Sequence, residues 1–242
     1  MARWLWLFWV ALTLATAPSV AGAQEVTLSL GSDGSLAARS IQLFALITVL
    51  SIVPGLAIMI TCFPFIVTVL SIMRQGIGLQ QSPPNMLIVS LALFLTYFVM
   101  EPVFQEAWSN GGGPLVEGQM DIEEAAPIML APFRAFMAAR VDPQTLAEME
   151  GLRAHTPTQG ELPALSVLIP SFLLSETTRA FQVGFLIFLP FLIIDLVVAA
   201  VLMSMGMMMV PPAVVSLPFK LAFIVVTDAW SLVAQSLVRG YG

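Results

Sequence analysis

Two aspartates lie in long apolar runs, where an ionisable side chain could carry a proton or an ion. Asp195 is the only charged residue between Phe181 and Phe219, and Asp228 lies in the last apolar run, eight residues beyond Lys220 and too far from it for a close pair. Because a charge among apolar helices is costly, it is usually paired or faces a polar cavity. No cation lies within helical reach of Asp195 on its own segment. We expect a structural pair or a hydrogen bond to a neighbouring subunit, ahead of a direct transport role.

The rest of the sequence supports little catalytic chemistry. Two aspartates on facing helices could form the carboxylate dyad of an intramembrane protease, or the relay of a small multipass transporter that uses Asp195 and Asp228. His155 is the only histidine and Cys62 the only cysteine, so neither a histidine metal site nor an intrachain disulfide can form. No zinc-protease, serine-hydrolase or phosphate-loop motif is present. We predict no catalytic residue, no metal site and no cofactor.

A methionine cluster is the most unusual feature of the chain. Five methionines occupy the seven positions from Met203 to Met209, and Pro211 and Pro212 follow almost at once. Methionine is apolar, unbranched and deformable, and a double proline ends a helix. We interpret this cluster as a candidate soft constriction. Filling of an irregular gap between helices would explain the cluster equally well.

The composition indicates a protein that is integral to a membrane or assembled in one. Hydrophobic residues make up 58% of the 242 residues and charged residues only 10%, and the formal net charge is −6. A soluble domain has about 25% charged residues. With only 9 lysines and arginines, the chain has no basic surface for nucleic acid. These properties predict an all-α, membrane-associated protein that does not bind nucleic acid.

The first residues have the pattern of a bacterial signal peptide. Arg3 precedes the apolar stretch from Trp4 to Ala17, and Ala21-Gly22-Ala23 has the small residues that signal peptidase recognises before Gln24. We predict a signal peptide over residues 1–23 and a mature chain that begins outside the bacterial inner membrane. An uncleaved anchor helix is the alternative.

The mature chain, residues 24–242, reads as one helical subunit built from two long hairpins. The first covers residues 41–108 and turns at Pro83, Pro84 and Asn85; the second covers residues 162–242 and turns at Pro211 and Pro212. Residues 101–161 hold most of the acidic residues and form a solvated helical insert between the hairpins. We expect four membrane crossings, with both turns in the cytoplasm and the insert outside.

A polar stretch interrupts the second hairpin. Glu176 and Arg179 stand three residues apart, so they can pair on one face of a helix. An exposed pair would add little stability, whereas a pair buried between subunits would add more. We therefore predict that assembly contacts involve Glu176, Arg179, Asp195 and Asp228.

Long stretches of the chain resemble the FliP family of flagellar export-gate proteins and their injectisome counterparts. The resemblance covers nearly all of the mature chain. It is carried by LIPSFLLSETTRAFQVGFLIFLPFLIIDLVVA at Leu168 to Ala199, by Met203–Met209, by Leu70-Ser71-Ile72-Met73-Arg74 and by Ser82-Pro83-Pro84-Asn85. The chain departs from the family pattern at Met86, where glutamine is usual, and at Pro64-Phe65, where a Thr-Arg pair is usual.

The resemblance implies an export channel. It implies a ring of about five copies of the chain with FliQ-like and FliR-like subunits, next to FlhA-like and FlhB-like export components, that conducts unfolded secreted proteins. It places the assembly at the flagellar basal body in the bacterial inner membrane, in contact with the lipid bilayer and partly on the periplasmic side. Met207, Met208 and Met209 match the family's methionine-rich constriction. The acidic insert and the signal peptide favour the flagellar branch of the family.

Overall fold

The computed structural model describes residues 36–79, 82–152 and 163–241, and within these residues the regular structure is entirely helical. The predicted all-α fold is confirmed, whereas the signal peptide at residues 1–23 and His155 lie outside the described residues. A short π-helical segment spans Trp108–Gly112. The α-helices are α1 (Leu36–Met59), α2 (Phe63–Ile77), α3 (Asn85–Ala107), α4 (Gly113–Val116), α5 (Ile122–Arg140), α6 (Pro143–Gly151), α7 (Leu165–Ser204), α8 (Pro212–Thr227) and α9 (Ala229–Arg239).

The chain divides into two units, residues 1–50 and residues 51–242. Among the described residues, the first unit contributes only the beginning of α1. The second unit holds α2 to α9 and all the contacts considered below. A single helical subunit over residues 24–242 stays a prediction.

Helices α2 and α7 form the centre of the second unit and make its most extensive helix contact. Two glycines allow the helices to approach closely. A Cβ atom at Gly184 would lie 2.4 Å from the Cδ1 atom of Ile72, and one at Gly76 would lie 2.8 Å from the Cδ2 atom of Phe191. Because protein interiors are close-packed, a larger side chain at either glycine would force the facing side chain, Ile72 or Phe191, to move. The buried side chains of α2 include Ile66, Val69, Leu70 and Met73.

The apolar run from residue 41 to residue 73 is broken near its middle. The structure ends α1 at Met59 and begins α2 at Phe63, so this run forms two helices. Pro64 lies in the first turn of α2, where its missing N–H costs nothing, and Pro54 lies inside α1. The Thr61 hydroxyl accepts a hydrogen bond from the Phe63 N–H at 3.3 Å and so supports the start of α2.

The turn between α2 and α3 contains the predicted turn residues. Gly78 ends α2 with a φ of 85°, a left-handed conformation that glycine adopts without strain. Pro83 and Pro84 precede α3, and Asn85 is its first residue. The Arg74 guanidinium donates a hydrogen bond to the Asn85 side-chain oxygen, which ties the last turn of α2 to the first turn of α3.

Helices α5 and α6 carry the acidic insert and pack against the long hairpins. Helix α5 contacts α3 and α7, and α6 contacts α7. A second small core joins these elements through Met137, Val141, Leu168 and Phe172. Asp142 caps α6, because its carboxylate accepts a hydrogen bond from the Thr145 N–H at 2.9 Å, and this bond lowers the pKa of Asp142.

Helix α7 is one continuous helix of 40 residues, about 60 Å long. The polar stretch at Glu176 and Arg179 lies inside it and does not break it. The last apolar run, from Leu217 to Val238, is divided between two helices, α8 and α9. Asp228, with a φ of 47°, separates α8 from α9, and the two helices are bent by 58°.

Within the part of the chain that the structure describes, three helical stretches are long and apolar enough to cross a membrane. They are Ser40–Met59, Asn85–Val116 and Leu165–Ser204. The bent pair of α8 and α9 adds a fourth if it forms one span. Sequence analysis predicted four crossings. By length and composition, this is a membrane protein.

Candidate functional site

The methionine segment forms a tight turn, residues 205–211, which we name the methionine turn. Helix α7 ends at Ser204, and Gly206 adopts a φ of 75° just beyond it. The Gly206 N–H donates to the Met203 carbonyl at 3.1 Å, and the Met207 N–H donates to the Leu202 carbonyl at 3.0 Å. These two bonds form the Schellman motif that commonly ends a helix at a glycine. The backbone of the turn is therefore held without any contribution from the methionine side chains.

The three methionine side chains that follow Gly206 are exposed on the part of the chain that the structure describes. Met208 is 84% exposed, Met209 is 97% exposed and Met207 is 42% exposed. Thioether groups with this exposure fill no gap between the described helices. They form an apolar tip at the α7–α8 hairpin, between Ser204 and the first residue of α8, Pro212.

A polar cluster around Asp195 joins three helices close to this hairpin. The Lys220 Nζ atom donates to Asp195 Oδ2 at 2.6 Å and to the Gly76 carbonyl at 3.0 Å, and the Ser216 hydroxyl donates to Asp195 Oδ1 at 2.6 Å. Lys220 is buried. The Gly76 carbonyl lies in the last turn of α2, where carbonyl groups lack partners and a cation is favoured. The partner that sequence analysis expected for Asp195 is thus Lys220 of the same chain.

Spacing within one segment does not reveal Lys220 as the partner of Asp195, because the two residues lie on different helices. The available signal was the hairpin itself. Asp195 precedes the end of α7 by nine residues, and Lys220 follows the start of α8 by eight. In an antiparallel hairpin, residues at similar distances from the turn lie beside each other. Ser216 and Lys220, four residues apart, share one face of α8.

A second polar cluster surrounds Glu176, whose side chain is fully buried. The Arg140 Nε atom lies 3.4 Å from Glu176 Oε1, and the Tyr241 hydroxyl donates to Glu176 Oε2. The Arg140 guanidinium also lies 3.7 Å from the centroid of the Tyr241 ring and donates to the Gly240 carbonyl at 3.1 Å. We name this set, Arg140, Glu176, Gly240 and Tyr241, the Glu176 cluster.

The suggested pair between Glu176 and Arg179 does not form. Glu176 faces the interior and bonds to Arg140 and Tyr241, whereas Arg179 is exposed. Side chains three residues apart on a helix differ by about 60° in direction, enough to separate an inner from an outer position. Sequence analysis missed Arg140 and Tyr241 because they lie on α5 and at the end of the chain.

Burial changes the acidity of two groups in this region. Burial, together with the neighbouring Glu176 carboxylate, raises the pKa of Tyr241, so its hydroxyl stays protonated and donates to Glu176. Burial raises the pKa of Cys62 to about 12, which keeps its thiol protonated and unreactive.

The two aspartates of the apolar runs do not form a shared site. Asp195 is bonded to Ser216 and Lys220, whereas Asp228 is exposed at the bend between α8 and α9. Asp228 lies eight residues beyond Lys220, about 12 Å along the helix. Within the described residues, no group of three or more histidine, cysteine, aspartate or glutamate side chains could hold a metal ion.

Comparisons with known proteins agree on one family. The FliP family model matches residues 46–237. The flagellar biosynthetic protein FliP of Caulobacter vibrioides is 49% identical over 234 residues, covering 96% of this chain and 88% of that protein. The protein of the same name from Agrobacterium fabrum is 44% identical over 93% of this chain and 94% of its own length. The Bacillus subtilis protein of that name is 42% identical, over 87% of this chain and 96% of its own length. The methionine turn and the polar cluster around Asp195 lie within the matched residues, whereas Gly240 and Tyr241 of the Glu176 cluster fall just beyond them. The chain belongs to the FliP family.

Proposed function

We propose that this chain is a non-enzymatic subunit of the export gate of a flagellar type III secretion apparatus. In this role it helps to conduct unfolded proteins across the bacterial inner membrane. Family membership supports the proposal, because the relatives carry the name flagellar biosynthetic protein. The long apolar helices support the membrane setting.

The proposed assembly is a ring of about five copies with FliQ-like and FliR-like subunits, at the basal body and partly on the periplasmic side. FlhA-like and FlhB-like components would lie next to it. Apolar side chains that one chain leaves exposed, such as Phe94 and Leu196, supply surface for neighbouring subunits or lipid. Of the four charged residues predicted at assembly contacts, Arg179 and Asp228 are exposed. Glu176 and Asp195 instead form ion pairs within the chain, with Arg140 and Lys220.

The exposed methionine turn is the single observation that carries the channel role. A membrane protein that places Met208 and Met209 almost fully outside its own fold has an apolar tip without a partner among the residues that the structure describes. When several copies surround an axis, such tips can meet and fill the passage. The turn keeps its position because its backbone is fixed by the Schellman bonds around Gly206.

The chemistry of methionine suits a gate for unrelated polypeptides. A ring of apolar side chains excludes water and ions when the passage is narrow, because a hydrophobic constriction dewets. Methionine has three rotatable side-chain bonds and no branch, so it can change rotamer around a passing chain. Specific hydrogen bonds would not serve many different substrates. The gate would therefore seal by apolar contact and yield by rotamer change.

The test replaces Met207, Met208 and Met209 together with alanine and measures ion leakage through the assembled complex. We expect assembly with the sibling subunits to continue and ion conductance to rise, because alanine leaves a wider passage. A matched control is Met86→Ala, which alters a methionine that is 82% exposed but lies outside the turn. Conductance equal to that of the unaltered complex would rule out the gate role.

A small transporter that uses Asp195 and Asp228 receives less support. A relay needs two carboxylates that exchange a proton or cation. Asp195 is instead bonded to Lys220 and Ser216, and Asp228 lies about 12 Å beyond Lys220 along the helix. Purification of the tagged chain separates the two functions. The export role requires sibling export proteins to copurify, whereas the transporter requires coupled flux of a solute in the purified chain alone.

A further inference from the structure

The five methionines from Met203 to Met209 bring more thioether groups together than any other stretch of the chain. All five are exposed in the structure, at Met203, Met205, Met207, Met208 and Met209. The other methionines that the structure describes are buried, half-buried or, at Met59 and Met86, exposed singly. Five thioether side chains are therefore accessible at one place in the fold, and their sulphur atoms are available as ligands.

The main chain folds back on itself twice within this stretch. The Gly206 N–H donates to the Met203 carbonyl at 3.1 Å, and the Val210 N–H donates to the Met207 carbonyl at 3.3 Å. Each bond closes a four-residue turn, which holds its first and fourth Cα atoms within about 7 Å of each other. The two central residues of the second turn are both methionines. Because methionine has three rotatable side-chain bonds, thioether groups on so short a folded segment can converge on one bound ion.

The donor atoms of this segment select for a soft cation. Thioether sulphur is an uncharged, soft ligand of the kind that favours copper(I). Zinc, calcium and magnesium sites use carboxylate, imidazole, thiolate or carbonyl ligands instead. Between Asp195 and Lys220 the sequence contains no charged residue, no histidine and no cysteine, and these two side chains are paired with each other at 2.6 Å. The chemistry of the segment therefore excludes a conventional zinc or calcium site.

We propose that the five methionines from Met203 to Met209 bind one soft monovalent cation of the copper(I) type, with thioether sulphur as the only side-chain ligand. The proposal does not depend on the export role, since ion binding is measured on the purified chain alone. Thioethers carry no proton to displace, so binding should be independent of pH. Thiolate and imidazole sites, in contrast, weaken as the pH falls.

The test is a titration of the full chain, purified in detergent without chloride, with silver(I), the air-stable congener of copper(I). All variants carry Cys62→Ala, because a thiol is the competing soft ligand and Cys62 is the only cysteine. Native mass spectrometry counts the bound ions, and titration calorimetry gives the affinity. We expect one silver ion for each chain, and an affinity for zinc that is weaker by at least about a hundredfold.

The decisive variant replaces all five methionines with leucine, which keeps the apolar bulk and removes the sulphur. We expect silver affinity to fall by at least about tenfold. The matched control replaces Met59 and Met86 with leucine and should leave the affinity unchanged, because these exposed methionines stand apart from the segment. Circular dichroism verifies that both variants keep the helical fold of the parent chain.

Three results would overturn the proposal. The first is equal silver affinity in the five-leucine variant and its parent. The second is zinc binding as strong as silver binding. The third is silver affinity about tenfold lower at about pH 5 than at about pH 7, since this dependence indicates an imidazole ligand. Because leucine keeps the tip apolar, none of these results bears on the gate role, and a failed conductance test would leave the silver result unchanged.

Discussion

Glu176 lies in α7 and the methionine turn directly follows that helix, yet the side chains at these two places have opposite environments. Glu176 is fully buried, and both of its oxygens are bonded within the chain. Met208 and Met209 are almost fully exposed, although they are apolar. The Glu176 carboxylate is thus fully bonded inside the fold, whereas the methionines form an apolar tip that is available to other molecules. The contrast separates residues that stabilise one chain from residues available to an assembly.

The largest effect on stability is expected at Glu176. Glu176→Ala leaves the Arg140 guanidinium, which is 13% exposed, without its carboxylate partner. Removing one member of a buried ion pair costs about 3–5 kcal/mol, because the remaining charge stays poorly solvated. The free energy of unfolding in detergent measures this loss. Glu106→Ala, at an exposed glutamate, should change it by less than about 0.5 kcal/mol. A loss below about 1 kcal/mol at Glu176 would show that the cluster is not a stabilising centre.

A smaller effect is expected at Tyr241. Tyr241→Phe keeps the ring that stacks on Phe136 but removes the hydroxyl that donates to Glu176, at a cost of about 1–2 kcal/mol. The folded state raises the pKa of Tyr241 above its ordinary value of 10.0. The hydroxyl therefore contributes stability that is present below pH 10.0 and is lost as the pH rises towards its folded pKa.

Thermal unfolding from about pH 8 to about pH 11 tests this dependence. The unaltered chain should lose more stability over this range than Tyr241→Phe. Tyr97→Phe is the matched control, because Tyr97 is 62% exposed and its removal should leave the alkaline loss unchanged. Parallel pH curves for the unaltered chain and Tyr241→Phe would contradict the prediction.

The smallest effect on stability is expected at the methionine turn. Met208→Ala and Met209→Ala should each change the free energy of unfolding by less than about 0.5 kcal/mol, since these side chains touch little of the fold. The matched core variant Met73→Ala, at a fully buried methionine, should lose about 2–5 kcal/mol. Chemical unfolding of the three variants measures the difference. Equal losses in all three would mean that the turn packs against its own chain, and the contrast with the Glu176 cluster would disappear.

Hydropathy and turn residues predicted the helical class and the two hairpin turns, because both depend on local patterns. The apolar runs are long, and proline and glycine end helices wherever they occur. Pro83 and Pro84 of the predicted turn lie between α2 and α3, Asn85 begins α3, and Pro211 precedes α8. The bend at Asp228 has no such marker, since aspartate rarely takes a left-handed conformation and no glycine or proline adjoins it.

The partners of the buried charges could not be read from local spacing. The bond between Glu176 and Tyr241 joins residues 65 positions apart, and that between Lys220 and Gly76 joins residues 144 positions apart. Such contacts depend on how helices cross, which side-chain periodicity alone does not specify. The Asp195–Lys220 pair is the exception, because the hairpin register alone brings its members together.

The Schellman bonds around Gly206 separate the shape of the hairpin tip from its chemistry. Those bonds use only main-chain atoms of residues 202, 203, 206 and 207, so exchanging the thioethers at Met207, Met208 and Met209 for other side chains need not move the backbone. Substitutions at these positions can therefore change the width, hydrophobicity or charge of the tip one residue at a time without displacing the supporting helices. Gly206 itself has no such freedom, since a side chain there would strain the left-handed conformation that ends α7.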